Sequence, residues 1–169
     1  IDGGLFPQEF VHSIKRTAWV KQLNANPTKA LLIAARGQHI RRWTMAREDY
    51  PEGRAGYLKW RSDLKNYHAE TIATLMHQLD YPAELIEQVT QIIRKINMQN
   101  PDTQTIEDAL CLVFLETQLD EMIEKTPQDK LVVILRKTWH KMSAEAKKIA
   151  LELPLSPSGA EAVKLATQS

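Results

Sequence analysis

The chain contains 169 residues, of which 43% are hydrophobic and 25% are charged, and its formal net charge is +1. These values predict one soluble globular domain, because the composition excludes a disordered or fibrous protein. The single cysteine excludes a disulfide-rich fold. The near-balance of charges argues against a general nucleic-acid-coating protein, although it is compatible with a local basic patch.

Three further features of the sequence concern location. No apolar run approaches the roughly 18 to 20 residues that a membrane-spanning helix needs, so we expect no membrane association. The lone Cys111 lies in an apolar run, which predicts a buried thiol in a reducing compartment, and we therefore expect a cytoplasmic protein. Because the chain opens at Ile1 without Met, a longer N-terminus or a removed signal is an open alternative.

Helical spacing of apolar residues dominates the first half of the chain. The first predicted helix buries a stripe of four residues, Phe10, Ile14, Ala18 and Leu23. Asn26 and Pro27 predict the start of a second helix. From residue 43 to residue 56 the pattern fails, and prolines and glycines predict an irregular loop, which in a compact domain is more often functional than idle. Helices are predicted again over 57–79 and 82–96.

The second half continues the helical pattern. A strongly apolar helix is predicted over 104–125, and Thr126 begins a capping-box-like start for the next one. Ser143 is predicted to cap a shorter helix that ends at Pro154, and a turn over 156–159 precedes a short C-terminal helix.

No segment alternates apolar and polar residues between turn signals, so no sheet is expected. The predicted fold class is all-α, a single compact bundle of seven or eight helices over residues 1–169. Its core is expected over about residues 10–155, and residues 156–169 are expected to form a C-terminal tail.

The most informative polar segment is residues 38–43, at the end of the second predicted helix. It places Gln38 and His39 directly before Arg41 and Arg42. Guanidinium groups at a helix end suit bidentate capture of phosphate or carboxylate, so these four side chains are candidate ligand-binding residues. The alternatives are a hydrogen-bonded core histidine and surface ion pairs with the acidic residues of the following loop.

Further candidates lie on three later helices. Arg61, Lys65 and His68 follow three- and four-residue steps, so they share one stripe that forms either a ligand wall or a solvated face. Asp108, next to Glu107, opens the strongly apolar helix, where a carboxylate needs a partner if it is buried. Lys137 lies near a helix end, where it either complements the helix dipole or reaches an anion. Common nucleotide-binding, zinc-protease and hydrolase motifs are absent from the sequence.

Five motifs are specific when they are taken together: residues 35–43, 50–51, 54–61, 68–70 and 135–139. In these motifs the chain resembles a bacterial and fungal family that is catalogued as domain of unknown function 4202. The likeness covers about residues 10–155. It implies a shared fold and no particular activity.

The order of a second set of residues is similar to that in the HD superfamily of helical metal-dependent phosphohydrolases. The set is His12, Gln38-His39, His68-Ala69-Glu70, Ile92-Ile93 and Glu107-Asp108. This more distant resemblance implies an HD-domain-like fold in which His39, His68 and Asp108 hold a divalent metal of unknown identity. The chain departs from the pattern because no aspartate accompanies His39, and Lys95 stands near the position of a further histidine.

Three functions follow as alternatives. The first is a metal-dependent phosphohydrolase acting on a nucleotide or small phosphate ester, with His39, His68 and Asp108 in the reaction and the cations around the phosphate. The second is a metal-free module that binds a small anionic or phosphorylated ligand. The third is a protein- or RNA-interaction domain that uses the aromatic residues Trp43, Tyr50, Tyr57 and Trp60. No oligomeric state is predicted.

Overall fold

A computed structural model describes residues 7–167 of the chain. Within this range the chain forms nine α-helices and no strand, which confirms the all-α fold class. The helices are α1 (Gln8–Leu23), α2 (Lys29–Gly37), α3 (Gly53–Gln78), α4 (Ala83–Arg94), α5 (Pro101–Thr117), α6 (Leu119–Lys125), α7 (Gln128–Lys141), α8 (Ala144–Glu152) and α9 (Pro157–Thr167). Among the described residues, no helix is both long and apolar enough to cross a membrane.

The helices pack around two hydrophobic cores that share α5. The first core lies among α1 to α5 and receives Ile106 and Ala109 from α5. The second lies among α5 to α9 and receives Leu112 and Leu115 from the same helix. Because α5 buries side chains on both faces, it reads in the sequence as a continuous apolar run rather than as an amphipathic helix. The helix α9 packs against α6 and α7, and it contributes Val163 to the second core.

Several helix ends differ from the sequence-based expectation. Thr28, not Asn26, caps α2, since its hydroxyl accepts the amide N–H of Leu31 at 3.0 Å. The predicted helix over 104–125 breaks at Gln118 into α5 and α6, so the described residues form one helix more than the predicted seven or eight. The predicted Ser143 cap is confirmed, because the Ser143 hydroxyl accepts the amide N–H of Ala146.

The inward face of α1 is different from the predicted one. His12, Ser13, Arg16 and Val20 are buried, whereas Phe10 and Ala18 are exposed. Polar side chains are tolerated inside because they find partners there: Arg16 Nη1 donates to the carbonyl oxygen of Ala35 at 2.9 Å. Of the predicted stripe of α1, Phe10 and Ala18 therefore face outward, whereas Leu23 packs against both cores.

The predicted irregular loop after α2 is ordered by side chains of α3 and by its own short turns. It contains 3-10 turns at Arg42–Thr44 and Arg47–Asp49. The indole N–H of Trp60 donates to the Met45 carbonyl oxygen at 3.0 Å. Gly56 is required in the first turn of α3, because a Cβ there would lie 1.8 Å from the Pro51 carbonyl oxygen. The loop thus holds Arg42 in a fixed position beside α3.

Candidate functional site

His39 follows the last turn of α2 and lies against the buried arginine of α1. Arg16 is 1% exposed, and its Nη2 lies 3.2 Å from His39 Nδ1. A guanidinium can only donate, so Nδ1 accepts this hydrogen bond and the ring proton of neutral His39 is on Nε2. Glu9 Oε2 lies 3.8 Å from the same Nδ1, and Glu9 Oε1 lies 3.8 Å from Arg42 Nε.

His68, in the middle of α3, faces His39 with a ring-centroid separation of 5.7 Å. Its Nδ1 lies 2.8 Å from the carbonyl oxygen of Ile40, which can only accept, so Nδ1 carries the proton. The remaining Nε2 lone pair is buried and has no hydrogen-bond partner among the described residues. Two imidazoles thus meet in complementary tautomers, with a donor at His39 Nε2 and an acceptor at His68 Nε2.

Four buried polar atoms on α1, α3 and the end of α2 have no hydrogen-bond partner within residues 7–167. They are Glu9 Oε2, Arg16 Nε, Gln38 Oε1 and His68 Nε2, in the part of the chain that the structure describes. Gln38 also donates from Nε2 to the Ile93 carbonyl oxygen at 3.4 Å, which ties the group to α4. We call Glu9, Arg16, Gln38, His39, Arg42 and His68 the His39 cluster.

A second charged group lies at the ends of α4 and α5. Lys95, in a left-handed conformation with φ 55° after α4, forms an ion pair with Glu107, and Lys141 Nζ lies 3.6 Å from the same carboxylate. We call Lys95, Glu107 and Lys141 the Lys95 cluster. The two clusters are electrostatically connected, since Lys95 lowers the pKa of His39.

Burial and positive charge keep both imidazoles neutral. The pKa of His39 lies well below its ordinary value, first because of desolvation and then because of Arg16 and Arg42. Desolvation also lowers the pKa of His68, to about 4. Desolvation lowers the pKa of Arg16 to about 10, against the opposing charge of Glu9, and raises that of the Glu9 carboxyl, against the opposing charges of Arg42 and Arg16. The site is therefore a cationic environment around two uncharged rings, of which His68 is 1% exposed and the His39 side chain is 28% exposed.

The predicted metal ligands do not fit a divalent metal ion. His39 has its Nδ1 lone pair directed at Arg16 and a proton on Nε2, so neither nitrogen is free to bind a metal. Only His68 combines an Nδ1 donor bond to a carbonyl with an open Nε2, the usual geometry of a ligating histidine. No group of three or more His, Cys, Asp or Glu side chains able to hold a metal is present in residues 7–167.

Asp108 has a structural role that accounts for its burial. Its Oδ1 accepts the amide N–H of Ser143 at 2.8 Å and the Gln104 amide at 2.9 Å. These bonds tie α5 to the start of α8. The neighbouring Glu107, rather than Asp108, faces the cations of the Lys95 cluster.

The structure brings Gln38, His39, Arg42 and His68 together, while the other predicted binding residues are more peripheral. Arg61 is exposed on α3, and its charge is felt by Arg42 and Lys95. Arg41 is exposed in a left-handed conformation with φ 51°, and Lys65 is half-buried on α3. Lys137 is exposed on α7, a helix that packs with α5, α6 and α9.

Some aromatic residues of the predicted interaction surface are held by contacts within the domain, and others are exposed to solvent. Trp60 is buried, and the Arg42 guanidinium lies 5.1 Å from its ring centroid. Tyr50 donates to Asp63 at 3.0 Å, whereas Trp43 is 66% exposed. His12, the early histidine of the HD pattern, lies apart, with its Nε2 3.3 Å from the Thr117 hydroxyl.

Sequence reasoning missed the contribution of α1 and the pairing of Lys95 with Glu107. Glu9, His12 and Arg16 follow three- and four-residue steps, so they share a helix face with Val20. This polar stripe could have indicated the buried face of α1. The apolar stripe on the other side of the helix predicted the wrong face instead. Lys95 directly follows Arg94 at the end of α4, and nothing local identifies Glu107 as its partner.

The fold and site define an all-α domain with a buried pair of neutral histidines among arginines. The comparisons with known proteins agree with the resemblance noted in the sequence. The family model described as domain of unknown function (DUF4202) matches residues 1–163, and the chain belongs to this family. Neither the curated proteins nor the solved structures contain a match to the chain.

Proposed function

We propose that this domain binds a small phosphorylated or carboxylated ligand at the His39 cluster without a metal ion. The observation that carries the proposal is the set of buried polar atoms without partners on Glu9, Arg16, Gln38 and His68. Buried donors and acceptors in folded proteins are nearly always hydrogen-bonded, so four orphan atoms on one group of residues indicate a missing complement. Arg16 Nε donates and the other three atoms accept, so the complement is a polar ligand that carries hydroxyl or amide donors beside its anionic group, with or without ordered water.

The sign of the charge supports an anion. Arg16 contacts His39, Arg42 pairs with Glu9, and the charges of Arg42 and Lys95 both lower the pKa of His39. The pKa of Glu9 is raised, mainly by desolvation, against the opposing charges of Arg42 and Arg16. Guanidinium and ammonium groups in a low-dielectric site interact strongly with phosphate or carboxylate oxygens.

The two tautomers restrict the ligand further. The Nε2–H of His39 donates to an anionic oxygen, and the Nε2 lone pair of His68 accepts from a hydroxyl or amide N–H of the same ligand. A phosphate ester of a sugar or nucleoside carries both groups, an anionic phosphate and nearby hydroxyls. We therefore favour a nucleotide or sugar phosphate over an isolated inorganic anion.

A metal-dependent phosphohydrolase, the other function suggested by the resemblance to the HD superfamily, is not supported by the donor set. The engaged Nδ1 of His39, the engaged Oδ1 of Asp108 and the surrounding cations all disfavour a hard divalent cation. This activity remains a prediction from the sequence alone.

Thermal unfolding of protein dialysed against a chelator tests the proposal. AMP should raise the melting temperature, inorganic pyrophosphate should raise it less because it has no sugar hydroxyl for His68 Nε2, and uncharged adenosine should raise it much less. At a concentration of about 100 times Kd, the stabilisation should be about 2.7 kcal/mol, which corresponds to roughly 5–10 °C for a domain of this size. Stabilisation by these ligands only after a divalent metal is added would contradict the proposal.

The variant Arg42→Gln locates the effect at the His39 cluster. Loss of one charge-assisted contact costs about 1.5–3 kcal/mol, so affinity for AMP should fall by roughly 10- to 100-fold. Arg94→Gln is the matched control, because Arg94 lies on α4 and its Nη2 is 3.8 Å from the exposed Glu70. Equal losses in the two variants would place the ligand elsewhere.

A further inference from the structure

An open apolar groove of about 810 Å³ lies on the surface formed by α1, α2 and α3. Its floor is α2, and its walls are α1 and the C-terminal half of α3. Arg16 donates to Ala35 and the α1–α2 connection is short, so α1 and α2 run antiparallel. Gly37 lies against Ile72 at one end, while Lys29 lies 4.7 Å from the Tyr81 ring at the other, so α3 is also antiparallel to α2.

The groove is lined by apolar side chains, several of which are exposed in the part of the chain that the structure describes. From α1 it receives Ile14 and Ala18, the two central members of the stripe whose periodicity predicts burial. From α3 it receives Leu75, which is 42% exposed, and from the residue that follows α3 it receives Leu79, which is 69% exposed. A contiguous apolar surface of this kind on a globular protein marks a place where another molecule binds.

The rim of the groove is basic at both ends. Lys21 and Lys29 lie at the end where α2 begins, and Arg36 lies at the end where α2 finishes, beside Gly37. None of the described residues that line the groove is acidic. The distance between the two basic ends, along α2 from residue 29 to residue 36, is about 11 Å at 1.5 Å per residue.

We propose that this groove docks an amphipathic helix of a partner protein, with an apolar stripe of about two turns between acidic residues at both ends. The groove has the apolar floor and paired walls of a helix-in-groove site, and its length matches two helical turns. A single-chain lipid carries its charge at one end, so it leaves either Arg36 or the two lysines without a counter-charge. A second copy of this chain, docked groove to groove, brings basic rims together.

A synthetic helical peptide tests the proposal directly. The probe is N-acetylated and C-amidated, with leucines at i, i+3, i+4 and i+7 between glutamate pairs, and its binding to the full chain is measured by fluorescence anisotropy. Leu79→Glu should weaken binding by at least about tenfold, because it places an acidic side chain in the groove. Leu58→Glu is the matched control, since Leu58 is 54% exposed on α3 outside the groove, and it should bind as the unaltered chain does.

Reversing the charges at the rim of the groove distinguishes specific docking of the peptide from non-specific hydrophobic binding. The double variant Lys21→Glu with Arg36→Glu should lose the glutamate-flanked peptide and gain affinity for a lysine-flanked analogue. The proposal would be overturned if the double variant bound the glutamate-flanked and lysine-flanked peptides equally. It would also be overturned if Leu79→Glu and Leu58→Glu lost equal affinity for the glutamate-flanked peptide. Saturable binding of laurate where the peptide fails, or a dimer in sedimentation that Leu79→Glu dissociates, would overturn it as well.

Discussion

At the scale of single residues, the site depends on which ring nitrogen carries the proton. The donor-only guanidinium of Arg16 fixes the tautomer of His39, and the acceptor-only carbonyl of Ile40 fixes that of His68. Neither effect is visible in the sequence, because Arg16 is far along the chain from His39 and Ile40 is far along the chain from His68. Gln38, His39, Arg42 and His68 could be nominated from residue type and helical spacing, but their protonation could not.

The low pKa of His68 predicts loss of stability on acidification. Between about pH 4 and pH 6.5 the unfolded imidazole binds a proton that the folded one excludes, so the free energy of unfolding rises with pH across this window. The contribution of His68 is about 3 kcal/mol in total. It is fully present above pH 6.5 and is lost as the pH falls towards 4.

Urea unfolding at several pH values measures this contribution. His68→Asn keeps an N–H donor for the Ile40 carbonyl but removes the titrating ring, so its stability should depend less steeply on pH than that of the unaltered chain. His77→Asn, at an exposed position of the same helix, is the matched control for the loss of one histidine. An unchanged slope in His68→Asn would show that His68 is not the group excluded from protonation.

At the scale of elements, apolar periodicity predicted most helices, whereas tertiary contacts decided their ends and faces. Ser143 was predicted correctly because a cap is a local interaction within one turn. The buried face of α1 was not, because Arg16 and His12 find their partners on α2 and α5, far along the chain. The same limitation applies to Asp108, whose partner Ser143 begins another helix.

Asp108 should therefore act as a link between α5 and α8. Asp108→Asn keeps an oxygen acceptor for the Ser143 amide, and its free energy of unfolding should change by less than about 1 kcal/mol. Asp108→Ala leaves that amide and the Gln104 side chain without their acceptor, which should cost about 1–3 kcal/mol. Chemical denaturation compares the two variants.

The ligand-binding behaviour of Asp108→Asn separates this link from a metal-binding role. Binding of AMP in the presence of chelator should be the same as in the unaltered chain, because Oδ1 faces α8 rather than the His39 cluster. A large loss of binding in Asp108→Asn, with stability retained, would instead assign Asp108 to the ligand site.

At the scale of the whole molecule, α5 makes the two cores interdependent. Trp19 of α1 packs against both cores, and α5 supplies buried residues to each. The composition predicted a single globular domain but gave no sign of two cores, because an uninterrupted apolar helix does not show which neighbours it contacts. Because both cores share α5, we expect them to unfold together rather than one at a time.

Cys111 reports on this coupling. Burial raises the pKa of its thiol to about 12, so it should not react with a thiol reagent while the second core is intact. In urea, its labelling should follow the same transition as tryptophan fluorescence, with one midpoint for both. Labelling at a lower urea concentration than the fluorescence change would show that the second core opens independently.

The central claim, an anion site built from two neutral histidines without a metal, is tested most directly by ¹⁵N NMR of the imidazoles. In chelator-treated protein at pH 7, His39 should be protonated at Nε2 and His68 at Nδ1. Addition of AMP should shift the Nε2 resonances of both rings, and Zn²⁺ alone should leave His39 unchanged. A His39 ring protonated at Nδ1, with Nε2 resonances that respond to Zn²⁺ but not to AMP, would contradict the account.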